Sequence, residues 1–181
     1  MAVRMPDALK TERDEIDENE WKQIQTVIDE AVVNMLNFRK AEGTALEKEF
    51  VQRIENIRNF MNQAIDLDPE RIAAIKERLQ TAIDELKVEV DSNRFEQELI
   101  YYLEKLDITE EKVRLGNHLD YFIQTLGGSE ANGRKLGFIT QEMGREINTM
   151  GSKSNHAEMQ KLVVMMKDEL EKIKEQVLNV L

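Results

Sequence analysis

The chain has 181 residues, no cysteine, and 36 acidic against 25 basic side chains, giving a formal charge of −11. Disulfides, thiolate metal sites and cysteine nucleophiles are excluded, and broad attraction to nucleic acid is disfavoured, because that attraction depends on neutralising phosphates. With 34% charged residues, 6% aromatics, 8 Gly and 2 Pro, the composition predicts an all-α protein.

Residues 1–16 are polar and irregular and lack the apolar core of a signal peptide. No apolar run elsewhere reaches membrane-spanning length, so the expected location is the cytoplasm. Asp17-Glu-Asn-Glu20 reads as a capping box that opens a helix, with Trp21 anchoring its start. Ile24, Ile28, Ala31, Met35 and Phe38 then recur at helical spacing. After Gly43 the pattern resumes with Leu46, Phe50, Ile54, Ile57, Met61 and Ala64, which predicts one long helix, or two nearly coaxial ones, to about Ile65. Asp66-Leu-Asp-Pro69 predicts a break, and Ile72, Ile75, Leu79, Ile83 and Leu86 mark a helix running back. Residues 17–90 are thus expected to form a long antiparallel helical hairpin, closed by a linker at Val88–Asn93.

A smaller helical bundle is expected over residues 91–181. Its first helix, about 94–105, would bury Phe95, Leu99 and Leu103. Asp107-Ile-Thr-Glu110 is a second capping box, opening a helix that Gly127-Gly128 ends. A helix over about 132–150 follows, stopped by Gly151, and Asn155-His-Ala-Glu158 caps the last one, with His156 at the surface. There Met159, Val163, Met166, Leu170, Ile173, Val177 and Val180 form a heptad seam, which is expected to pack within the chain, with a subunit interface as the alternative.

The helix over 132–150 differs in character from its neighbours. Residues 131–153 hold four cations (Arg134, Lys135, Arg145, Lys153) against two anions (Glu142, Glu146) in an otherwise acidic chain. Gln141, Asn148, Thr149 and Ser152 add hydrogen-bonding groups of little use for packing. Arg114 and His118 lie four apart on the preceding helix and share a face, as Glu142 and Glu146 do here. Antiparallel packing across the Gly127–Ala131 turn would let these faces meet. Paired carboxylates beside cations can hold a hard divalent ion while arginines clamp phosphate. The same spacing equally describes two salt-bridged, exposed helix faces.

Gly133-Arg-Lys-Leu-x-Phe-x-x-Gln-Glu-Met-x-Arg-Glu-x-Asn-Thr-x-Gly-Ser-Lys153, followed by Asn155-x-Ala-Glu and a closing Glu-Lys-Ile-Lys-Glu-Gln-Val-x-Asn, resembles the C-terminal signature of the YicC-like (YicC/YloC) bacterial proteins. Arg114-Leu-x-x-His118-Leu, Arg4-Met-Pro and Glu42-Gly-x-x-Leu46 fit further landmarks, so the resemblance covers nearly the whole chain. It implies a stress-associated, metal-dependent endoribonuclease cleaving single-stranded RNA, cytoplasmic and homo-oligomeric, with an N-terminal domain ahead of the helical region. Neither DNA nor membrane is an expected partner. On this footing Glu142 and Glu146 would hold Mn²⁺ or Mg²⁺, and His118 would assist proton transfer as the third catalytic group. Arg114, Arg134, Lys135, Arg145 and Lys153 would bind RNA phosphates, supported by Gln141, Asn148, Thr149 and Ser152. Gly137 stands where the family commonly has Asp, Gly144 where it has Asn, and His156 where it has Asp, which removes possible oxygen ligands. The alternative is a non-catalytic RNA- or protein-binding module built for oligomerisation.

Overall fold

Long runs of Glu, Lys, Leu, Ile and Met with few turn residues fold as helices, and the computed structural model contains no strand among the residues it describes, 17–86, 92–128 and 132–180. Five helices follow in order: α1 Glu18–Leu86, α2 Ser92–Lys105, α3 Thr109–Leu126, α4 Gly133–Lys153 and α5 Ala157–Val177. The all-α reading of a long helical element plus a smaller bundle therefore holds. The irregular segment 1–16 with its Arg4-Met-Pro landmark, linker residues 88–91 and turn residues 129–131 lie outside the described residues.

By internal packing the chain divides at Gly43 into two units, Met1–Gly43 and Thr44–Leu181. In the first, Trp21, Ile24, Ile28, Met35 and Phe38 are all between 42% and 66% exposed. The expectation that their spacing marks a buried face is not met within the described residues. Periodicity reports that one side of a helix is apolar; it does not supply the surface that covers it.

In the second unit the same spacing is buried. Phe50, Ile54, Ile57, Met61 and Ala64 join Leu115, Leu119 and Phe122 of α3, the inner face of α4 and the α5 seam in one core. Phe50 meets Phe122 edge-on, their ring centroids 5.5 Å apart. Met159, Val163, Met166, Leu170, Ile173 and Val177 are buried in this core, so the heptad seam packs within the chain. Beside it, Glu169 of α5 accepts from Asn56 at 2.9 Å and from Arg53 at 3.2 Å.

The predicted hairpin does not form: α1 runs through Pro69 without a break or a return. A proline inside a helix forfeits one backbone hydrogen bond and costs about 3 kcal/mol. Tertiary ties around it offset that cost. Arg71, only 2% exposed, pairs with Asp68 at 2.7 Å and donates to the carbonyls of Lys153 and Leu106, each at 3.0 Å. It thereby satisfies a carbonyl at the end of α4 and one just past α2, both left without helical donors.

Three smaller expectations also shift. Phe95, Leu99 and Leu103 of α2 are half-buried and lie outside the core cluster. Gly151 does not stop α4, which continues to Lys153. The cap of α5 is His156, whose Nδ1 accepts from the Met159 amide at 3.4 Å, so cap and helix both lie one residue later than the expected Asn155 cap implies.

Glycine explains why α4 continues. Gly137, Gly144 and Gly151 present their blank sides to Val177, Leu170 and Val163 of α5, in antiparallel order. A Cβ on Gly151 would sit 2.9 Å from Val163 Cγ1, and one on Gly133 would collide with the Val180 carbonyl oxygen. The row lets the backbone of α4 approach α5 closely.

Candidate functional site

Two ties fix how α3 and α4 lie against each other. Near one end Lys135 Nζ sits 4.8 Å above the Tyr121 ring, and near the other Lys153 Nζ reaches the Glu111 carboxylate at 2.7 Å. The helices are therefore antiparallel, as the short turn predicted. Midway between the ties, Glu142 comes level with His118 and Glu146 level with Arg114. This is the register that would let the two faces meet.

The side chains at that level are in different states. Glu142 is paired along its own helix with Arg145 at 2.6 Å, a pair open to solvent. Arg114 is likewise paired with Glu110 one turn earlier. His118 is half-buried and makes no hydrogen bond or ion pair among the described residues. Glu146 is 8% exposed, and no hydrogen bond or ion pair reaches its carboxylate among the described residues. Its oxygens are not among the fully buried unpartnered atoms, so the carboxylate keeps contact with solvent and stands open to a ligand.

The remaining expected site residues separate by side of the helix. Arg134, Gln141, Arg145, Asn148 and Ser152 form the exposed face of α4, together with Lys135. Thr149 and Ser152 turn their hydroxyls back to the carbonyls of Arg145 and Thr149, at 3.0 and 2.8 Å. Lys153 is taken up inside the fold: besides Glu111 it donates to the Asp107 carbonyl at 2.8 Å. Its ammonium knits the start of α3 to the end of α4 and does not join the exposed face.

The glycines at family-variable positions fall on the opposite side. Gly137 and Gly144 face α5, against Val177 and Leu170, while Glu142 and Glu146 lie toward α3. Their lack of oxygen ligands leaves the Glu142–Glu146 pair untouched. Among the described residues no group of three or more His, Asp or Glu side chains is arranged to hold a metal. Two carboxylates one turn apart suit an ion of the Mg²⁺ or Mn²⁺ type, which is commonly held through one or two protein carboxylates, with water and substrate phosphate completing its shell.

Two residues of this region are not in the sequence-derived set. Phe138, 60% exposed, lies on the polar face of α4 one turn from Arg134. Its position four residues after an arginine and four before Glu142 was the available signal, since an aromatic on that row cannot face the core. Arg71 gave no comparable signal, being one arginine among Ile72 and Ile75 on a helix. No described helix is long and apolar enough to cross a membrane.

Comparison with known proteins follows this geometry. A family model described as endoribonuclease YicC-like, C-terminal, matches residues 64–181, which include α3, α4 and α5. A protein of Clostridioides difficile strain 630 named probable endoribonuclease YicC is 34% identical over 182 residues, covering 98% of this chain and 62% of that protein. A Haemophilus influenzae protein of the same name is 29% identical over 177 residues, covering 98% and 61%. The chain thus spans less than two thirds of the length of these relatives.

Proposed function

Because this chain belongs to the YicC-like endoribonuclease family, we propose that it cleaves single-stranded RNA with the face shared by α3 and α4. The observation that carries the reading is Glu146, a mostly buried side chain whose solvent-touching carboxylate has no partner among the described residues, level with Arg114 and one turn from Glu142. Arg134, Lys135 and Arg145 lie exposed on the same helix and would hold phosphates; a guanidinium does so with two parallel hydrogen bonds. Arg114 would exchange Glu110 for a phosphate, and Arg145 would exchange Glu142, both present pairings being solvent-exposed and weak. Release of Arg145 frees Glu142 to act with Glu146.

Glu142 and Glu146 would together hold Mn²⁺ or Mg²⁺, whose chemistry when bound is to activate water and stabilise charge on the phosphorus oxygens. His118, level with Glu142, would move a proton to or from a substrate oxygen. Gln141 and Asn148 supply neutral hydrogen bonds along the row. Self-association and a cytoplasmic site of action complete the proposal, the former read by light scattering.

The test is cleavage of an end-labelled single-stranded RNA by this chain with Mn²⁺, Mg²⁺ or EDTA, beside Glu146→Gln. Internal cuts that need the metal and disappear in the variant support the reading. Binding that persists in EDTA without any cut under either metal refutes catalysis by this chain and leaves an RNA-binding module.

A further inference from the structure

We propose that Phe138 and Tyr121 form a nucleobase-stacking site beside the phosphate-binding cations; this rests on the RNA reading above and specifies how the substrate is held. Phe138 is 60% exposed and Tyr121 43% exposed, at the junction of α3 and α4. Lys135 links the two helices here: its ammonium sits 4.8 Å over the Tyr121 ring, and Phe138 is three residues further along the same helix. Phe138 is the one large apolar side chain on a face otherwise made of Arg134, Lys135, Gln141, Arg145 and Asn148, among the described residues. An aromatic interleaved with cations in this way matches the two needs of a single strand, a flat surface for a base and positive charge for the backbone.

The surroundings of Tyr121 support the assignment. Its ring borders an open cleft of about 520 Å³ lined also by Arg58, Asn117 and Gln124, and by Glu55 and Asp120, whose carboxylates are both paired with Arg58. Amide side chains there can pair with the edge of a base that stacks above them, while Arg58, held by Asp120 at 2.7 Å, is directed into the same region. A base in a duplex is stacked on its neighbours and cannot reach such a surface. Selection for unpaired RNA therefore follows from the two rings themselves.

The experiment measures binding by fluorescence anisotropy in EDTA, so that no strand is cut, using the whole chain and a labelled single-stranded RNA. The same length of RNA with abasic residues is the second probe. Phe138→Ala is expected to weaken binding of the normal strand about tenfold and to leave the abasic strand unchanged, with Phe138→Trp restoring the loss. Tyr121→Ala should act in the same direction. Equal weakening of both strands, or no weakening of either, overturns the stacking site while leaving RNA binding intact. Failure of the wild-type chain to bind either strand overturns the RNA reading itself.

Discussion

Replacing Glu146 by Gln separates the cost of the carboxylate from its use. The side chain is 8% exposed and no described residue neutralises or hydrogen-bonds it. Its oxygens keep contact with solvent, so the cost lies at the low end of the about 1–3 kcal/mol of a fully buried unmet group, and the amide has nearly the same shape without the charge. Glu146→Gln should therefore stabilise the fold by about 1 kcal/mol, a rise of about 3 °C in Tm for a chain of this size. Glu142→Gln is the control: it loses only a solvent-exposed pair with Arg145 and should change stability by less than about 0.5 kcal/mol. Urea unfolding at constant slope gives both values. Cleavage of single-stranded RNA should be lost in both variants, and added Mn²⁺ should raise the Tm of the wild type but not of Glu146→Gln. A Glu146→Gln protein destabilised by more than about 1 kcal/mol would refute the reasoning, because the carboxylate would then be serving the fold.

Three further outcomes follow from the packing. Arg71→Met should cost about 3 kcal/mol in urea unfolding, since it strands Asp68 and the carbonyls of Lys153 and Leu106; Arg71→Lys should recover less than half, as one ammonium cannot serve all three. Gly116→Ala should stabilise by about 1 kcal/mol, its Cβ meeting nothing within 4 Å, whereas Gly151→Ala should destabilise by about 1 kcal/mol and be rescued by Val163→Ala, as thermal melts of the three variants would show. Burial works against the charge of Glu169, but hydrogen bonds from Lys172, Asn56 and Arg53 win and hold its carboxyl below the ordinary value of 4.5. Its folded pKa lies under the unfolded one, so its contribution is present above about pH 4.5 and lost as pH falls through the folded value. Glu169→Gln should accordingly be less stable than wild type at pH 7, with the difference shrinking below pH 4.5 in acid titrations followed by circular dichroism.

Local rules served the sequence well wherever one helix face met one core. The seam from Met159 to Val177 was legible because heptad spacing and burial coincide. The antiparallel packing of α3 and α4 was legible because a short turn leaves little choice. Pro69 misled for a physical reason: its cost is local, while the ties of Arg71 that outweigh it come from residues 35 and 82 positions away. The exposure of Trp21, Ile24 and Phe38 could not be read from their helical spacing, because an amphipathic pattern carries no information about what lies opposite. Which carboxylate of the pair would be spoken for also could not be read from spacing. Arg145 sits within reach of Glu142 in the same way that many exposed helical pairs do, and only burial distinguishes Glu146.

The glycine row on α4 makes the proposed RNA-facing side of the helix sensitive to adjustments made elsewhere. With Gly137, Gly144 and Gly151 turned to α5, the backbone of α4 lies close to Val177, Leu170 and Val163 along this row, most tightly at Gly151. Enlarging any of those three α5 residues would push α4 as a rigid rod and carry Arg134, Phe138, Glu142 and Glu146 with it. Under the proposed reading, RNA cleavage is then graded from behind the site, by substitutions that touch neither the RNA nor any group that meets it.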